Sequence, residues 1–119
     1  MPLVIGVLSE QVEGERRLPV VPEVMKKYQG LGAQLVLEKD AGVRSHFPDA
    51  SFAGATLSEA RAEICTQSDV LLCVQPPPDE AIAALKPGSV LIGMLQPWSS
   101  AERAKLLQEK QITAFALEL

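Results

Sequence analysis

Aromatic side chains are scarce in this 119-residue chain, which has one Trp, one Tyr and three Phe, 4% of its residues. That shortage argues against the stacked aromatic platforms that hold single-stranded nucleic acid. Positive charge is also short: 11 basic residues face 15 acidic ones, for a net charge of −4. No run of Lys or Arg gathers the charge that a nucleic-acid or anionic-lipid surface needs, so no nucleic-acid partner is expected. No apolar stretch approaches the roughly 18 residues that cross a bilayer. Met1-Pro2-Leu3-Val4-Ile5 lacks a basic flank and a small-residue cleavage site, so no secretory signal is expected. The two cysteines, Cys65 and Cys73, fall in a helix-like segment and an apolar run. They are expected as buried, reduced thiols of a cytosolic protein. The one histidine, His46, has only Asp49 near metal-ligand spacing, so it reads as a surface-loop residue and no metal site is expected. Ser9, Ser45, Ser99 and Ser100 lack the G-x-S-x-G context of a nucleophile elbow.

What is present is alternation. Short apolar runs at Leu3 to Leu8, Gln34 to Glu38, Val70 to Val74, Val90 to Leu95 and Ile112 to Leu117 are apolar at nearly every position. Such runs predict parallel strands covered on both faces. Helical patterns separate them. Pro22 suits a first helical position, Val24, Met25, Tyr28 and Leu31 form an apolar stripe, and Gly32 supplies a left-handed stop. Ser58 is expected to cap a helix bearing Ala60, Ala62 and Ile64. Pro78 opens another over Asp79 to Leu85, and Ser99 with Glu102 forms a capping box for a helix through Gln108. Val43 to Asp49 is expected as a loop, with a helical turn near Ser51 to Ala53. The expected fold is a three-layer α/β/α open, mostly parallel sheet, flavodoxin-like or Rossmann-like, forming a single α/β domain over residues 1–119.

A glycine fingerprint for dinucleotides is missing from this pattern. Gly30-Leu31-Gly32 has Leu35 where a third glycine belongs, and it ends a helix, the reverse of a pyrophosphate cradle. The strongest site candidates are Arg16 and Arg17, in the loop Gly14 to Glu23 after the first run. Ligands of open α/β sheets sit outside the carboxyl ends of the strands, where this loop should lie. A guanidinium there could hold a carboxylate bidentately, or both could be solvated or paired with Glu13 and Glu15. Successive side chains of an extended loop diverge, so one of the two is expected to face the crevice. Gln75 and Gln96 follow strand ends at the same edge. Neutral amides orient ligands but do not serve as general acid or base. On residues alone, the chain reads as a site-lining module without chemistry of its own.

Ile5-Gly6-Val7, Gly14-Glu15-Arg16-Arg17-Leu18 and Pro22-Glu23-Val24 resemble the opening of the alanine dehydrogenase and NAD(P) transhydrogenase N-terminal domain family. Gly30-Leu31-Gly32-Ala33, Glu38-Lys39, Ala41-Gly42, Ser68 to Leu72, Val74-Gln75-Pro76-Pro77, Leu85-Lys86-Pro87-Gly88 and Ile112 to Ala116 continue the likeness in order across nearly the whole chain. Ser9 and Val21 depart from it, where lysine and a helix-capping threonine are usual. The second should cost about 1 kcal/mol of capping. In the alanine dehydrogenases an arginine, a lysine and a histidine surround pyruvate; the resemblance sets them at Arg17, Gln75 and Gln96. Both titratable groups are thus replaced by amides, and with the ending Lys110 to Leu119 this favours the proton-translocating transhydrogenase alpha subunit. The resemblance then implies an N-terminal part of the NAD(H)-binding component, inactive alone, whose catalytic and NAD contacts lie beyond Leu119. It further implies NADP(H) on a partner component, the rest of the alpha subunit and a membrane component as partners, and a homodimer in the parent. The place implied is cytoplasmic, peripheral at the cytosolic face of the inner membrane. No tightly bound cofactor and no catalytic residue is expected on this chain; Arg17, Gln75 and Gln96 are its cleft candidates. The alternatives are an alanine dehydrogenase N-terminal domain or a non-catalytic binding domain.

Overall fold

In the computed structural model, which describes residues 3–118, all five expected apolar runs pair as parallel strands. They are β1 (Val4–Val7), β2 (Gln34–Glu38), β4 (Val70–Leu72), β5 (Val90–Gly93) and β6 (Thr113–Ala116). The regular strands are shorter than the apolar runs, but single bonds carry the pairing on: Cys73 N–H donates to Ile92 O at 2.9 Å and Leu117 N–H to Gly93 O at 2.9 Å. A sixth strand was not foreseen. β3 (Thr56–Ser58) has three residues and no apolar run, and exists by pairing along β2, with Leu37 beside Leu57. The order β3-β2-β1-β4-β5-β6 is parallel throughout, the doubly wound arrangement whose direction reverses between β1 and β4.

Four helices flank the sheet: α1 (Pro22–Gly30), α2 (Arg61–Gln67), α3 (Asp79–Ala84) and α4 (Ala101–Glu109). α1 begins at Pro22 with Val21 as an N-cap that offers no side-chain bond, and Gly32 just past its end has φ +94°. Leu31 departs from the expected stripe. As the C-cap it turns outward and is 85% exposed, whereas Met25 is fully buried. Ser58 does not cap α2 but belongs to β3; the N-cap is Ala60, whose N–H bonds to Ser58 Oγ at 3.1 Å. The cap of α4 is Ser100, not Ser99: Arg103 N–H donates to Ser100 Oγ at 3.0 Å, while Ser99 turns back to Gln96 O. One residue of register decides which serine meets the free N–H groups of the first turn. The segment after β2 holds two 3₁₀ turns, Val43–Ser45 and Asp49–Phe52. No helix among the described residues is long and apolar enough to cross a membrane.

Apolar packing lies on both faces. Met25 and Phe52 pack with Ile5, Val7, Leu35 and Leu37 on one. Ile64, Ile82 and Leu85 pack with Val36, Leu71 and Leu91 on the other. The layers come close where glycines permit: a Cβ at Gly6 would overlap Ser68 Oγ, and one at Gly93 would overlap Cys73 Sγ. α1 packs over β2 and against the second 3₁₀ turn, and its cluster extends as far as Val70 and Leu72 of β4. On that same face of β4 to β6, Leu72 and Ile92 are half-buried, and Phe115 and Leu117 are 53% and 66% exposed.

Candidate functional site at the carboxyl edge of the sheet

The loop after β1 rises over the carboxyl edge and delivers Glu15 beneath Arg17. Gly14, at φ +83°, makes the turn that starts it. Glu15 is buried, its side chain 6% exposed against 62% for Arg17. Its carboxylate accepts from Arg17 Nε at 2.9 Å, from Arg17 Nη2 at 2.8 Å and from the Arg17 backbone N–H at 2.8 Å. The Nε–Nη2 edge of the guanidinium is therefore taken by a neighbour two residues away. Glu15 Oε1 also accepts from Gln75 Nε2 at 2.9 Å, and Gln75 Oε1 accepts from Gln96 Nε2 at 3.1 Å. Arg17, Gln75 and Gln96, far apart in sequence, thus meet in one continuous polar row with Glu15 at its centre. Arg16 lies apart from it. Its side chain is exposed beside Arg44 and His46, and its carbonyl accepts from Ser45 Oγ.

Three further glutamates hold the backbone of this edge. Glu10 accepts from Val74 N–H at 3.1 Å and Gln75 N–H at 2.9 Å. Glu118 accepts from Leu95 N–H at 3.1 Å and Gln96 N–H at 2.9 Å. Glu38 accepts from Ser9 N–H at 2.7 Å and is paired with Arg61 at 3.2 Å. Each carboxylate satisfies amides that the ending strands leave without a neighbouring carbonyl. Arg103 completes the clamp from α4, donating through Nη1 to Leu95 O at 2.8 Å. Sequence reasoning missed Glu10, Glu38, Glu118 and Arg103 and noted Glu15 only as a partner for Arg17. A signal was present for three of them, an acidic residue at or within two positions of the end of an apolar run: Leu8-Ser9-Glu10, Leu37-Glu38 and Leu117-Glu118.

The electrostatics follow from these contacts. The Arg17 hydrogen bonds hold the Glu15 carboxyl down to about 2, against the cost of burial, with Gln75 helping. In turn, the bonds from Arg17 to Glu15 raise the arginine above its usual range. Glu10 goes the other way: desolvation lifts it, outweighing the Gln75 and Val74 amides. For Glu118, desolvation pushes upward, but the amides of Gln96, its own residue and Leu95 together bring it below the ordinary value. Cys65 and Cys73 are buried, unbridged thiols. Burial pushes Cys65 up to about 11 and Cys73 up to about 12.

Two spaces adjoin the polar row, and they are unlike. Between β1 and β4, where the sheet reverses, Glu10 and Pro76 to Pro78 leave a cavity of only about 10 Å³. That is at the limit for one water. No glycine-rich turn opens there, and α3 begins at its wall behind Pro76 to Pro78, which have no N–H to offer, so the described residues do not fit the pyrophosphate of a dinucleotide. Beside Arg17 lies an open groove of about 470 Å³, walled by Tyr28, Leu72, Ile92, Met94 and Leu117. Among the described residues no group of three or more His, Cys, Asp or Glu side chains is placed to hold a metal.

Fold and edge together define a doubly wound, all-parallel α/β domain whose carboxyl edge carries a polar row and, among the described residues, no phosphate loop. Residues 6–119 match the family model for the alanine dehydrogenase/PNT N-terminal domain, and the chain belongs to that family. It is 35% identical over 118 residues to NAD(P) transhydrogenase subunit alpha of Haemophilus influenzae, covering 98% of this chain and 23% of that protein. To alanine dehydrogenase 1 of Staphylococcus aureus it is 26% identical over 116 residues, covering 98% of this chain and 31% of that one. The crystal structure of transhydrogenase from Sinorhizobium meliloti superposes with a TM-score of 0.90 at 29% identity, over 97% of this chain and 35% of that one. The chain thus spans about a quarter to a third of the length of these relatives.

Proposed function

We propose that this chain is the N-terminal part of the NAD(H)-binding component of a proton-translocating NAD(P) transhydrogenase. The parent would pass hydride from NADH to NADP⁺, giving NAD⁺ and NADPH, with proton passage through a separate membrane component. The chain would form one wall of the NAD(H) cleft and would be inactive alone. The carrying observation is the polar row itself. At the three positions where the resemblance sets the arginine, lysine and histidine of alanine dehydrogenases, this edge holds an arginine tied to Glu15 and two amides. Reductive amination needs groups that give and take protons near neutrality, and an amide does neither. Hydride transfer between two nicotinamides asks for no such group. The higher identity to the transhydrogenase relative, 35% against 26%, supports the same reading.

On this reading the remainder of the alpha subunit carries the pyrophosphate contacts that the described residues lack. A partner component holds NADP(H), the parent is a dimer, and the chain lies at the cytosolic face of the inner membrane. The test is turnover by the full-length polypeptide that begins with this chain, reconstituted with its partner components. NADH-dependent reduction of an NADP⁺ analogue is expected. NADH oxidation driven by pyruvate and ammonia would overturn the reading in favour of alanine dehydrogenase.

A further inference from the structure

Arg16 and Arg17 are neighbours in sequence and part company in space. Arg17 stands at the edge groove, whereas Arg16 turns to a separate groove of about 380 Å³, lined by Gly14, Arg16, Val43, Arg44 and His46. The two grooves share no lining residue.

Two clasped segments build this second groove. Ser45 Oγ in the first 3₁₀ turn donates to Arg16 O in the loop after β1, and Arg44 Nη1 donates to Glu15 O at 3.3 Å. The turn ends at His46, whose φ is +64° and whose N–H returns to Val43 O at 3.0 Å. Glycine would hold that conformation at lower cost, yet an imidazole stands at the rim.

Charge sets the groove apart. In a chain of net charge −4, two guanidiniums and the one imidazole gather here, and no Asp or Glu lines the space. The other three arginines are bound within the fold, Arg17 to Glu15, Arg61 to Glu38 and Arg103 to Leu95 O. Among the described residues Arg16 and Arg44 enter no ion pair. Glu15 offers Arg44 only its carbonyl, because its carboxylate is spent on Arg17 and Gln75. Arg44 therefore keeps its Nε–Nη2 edge, and Arg16 its whole guanidinium, for a group from outside the described residues.

We infer that this groove is a second binding site, for a small doubly charged oxyanion of the phosphate class, either free phosphate or a phosphate monoester. Such a group carries at least three terminal oxygens that accept, and a pair of them matches the edge of a guanidinium. Its two charges answer two arginines, where a carboxylate would answer one. The patch is small and the chain around it is acidic, which turns away an extended anionic surface but not a small ion. This site does not depend on the hydride-transfer reading, and either stands without the other.

Inorganic phosphate is titrated into the ¹⁵N-labelled 119-residue chain at constant ionic strength, with chloride as the balancing anion. The arginine Nε–H and His46 ring signals are followed. Phosphate is expected to move Arg16, Arg44 and His46, to leave the Arg17 Nε–H in place on Glu15, and to bind at about 1 mM or tighter. Arg16→Gln and Arg44→Gln should each weaken binding about tenfold. Lys26→Gln, an equal loss of charge at an exposed position of α1, should change it less than about twofold. Methyl phosphate binding as tightly as phosphate would assign the site to a monoester, and phosphate binding alone would assign it to the free ion. Unmoved Arg16 and Arg44 signals at about 10 mM phosphate would overturn the proposal. Equal shifts from acetate, or equal weakening by Lys26→Gln, would overturn it too, because bulk charge then accounts for the binding. If Arg44→Gln loses its fold along with the bond to Glu15 O, Arg16→Gln decides, since the Arg16 guanidinium holds nothing else among the described residues.

Discussion

The two halves of the sheet are equally apolar and unequally covered. In β1 and β2 the residues Ile5 to Val7 and Leu35 to Leu37 are buried one after another, because α1 and Phe52 close one face and α2 the other. In β4 and β5 burial alternates: Leu71 and Leu91 are buried under α2 to α4, while Val70, Leu72, Val90 and Ile92 are only half-buried. Strand composition records what a strand can tolerate having on each face, and it does not record whether the cover belongs to the same hundred residues. The polar row sits where the halves meet, with Arg17 supplied by the covered half and Gln75 and Gln96 by the half-open one.

The largest effect should come from the closed face of the open half. Leu91→Ala, at a residue with no exposure, should cost about 2–5 kcal/mol in denaturant unfolding. Gly93→Ala tests the close approach of β5 to Cys73. Its Cβ would lie 2.5 Å from the Cys73 carbonyl oxygen, which has no side-chain freedom to withdraw, so a loss of about 1–3 kcal/mol is expected. A loss below that range would mean that β4 and β5 separate more easily than their pairing implies.

Acid should strike the junction between the halves. Glu15 titrates at about 2 in the fold against an ordinary 4.5, so its depressed value stabilises the fold above about pH 4.5. That contribution is lost as pH falls from about 4.5 toward 2. Glu10, raised by burial, runs in the opposite sense and relaxes on protonation. The thermal midpoint of Glu15→Gln should therefore fall less steeply than that of the native chain below pH 4.5. Parallel curves would remove Glu15 from the acid response.

Much of the fold could be read from apolar runs and helix punctuation, because five strands and four helices each leave a local pattern. β3 could not, since Thr56, Leu57 and Ser58 form a strand only through the register of β2. Ser99 and Ser100 differ by one residue, a distinction that local composition does not make. At the edge, Arg17, Gln75 and Gln96 could be named from their positions after strands. Their connection could not, because it passes through Glu15, 60 residues from Gln75. An acidic residue in a loop looks solvated until the fold buries it.

Smaller changes sharpen the contrast. Val21→Thr should supply the missing side-chain cap of α1 and add about 0.5–1 kcal/mol to the covered half. Phe115→Thr, on the open face of β6, should change stability by under about 0.5 kcal/mol. A loss comparable to that of Leu91→Ala would show that face to be covered in solution.

Cys73, packed against Gly93 and held near 12 by burial, stays a protonated thiol at any physiological pH. Alkylating and oxidising reagents that act on thiolates have nothing to attack while β4 and β5 remain together. Its labelling rate is therefore a clock for the opening of this edge, and it needs no engineered reporter. A ligand that rests on Gln75 and Gln96 should slow that clock in proportion to how firmly it holds the two strands shut.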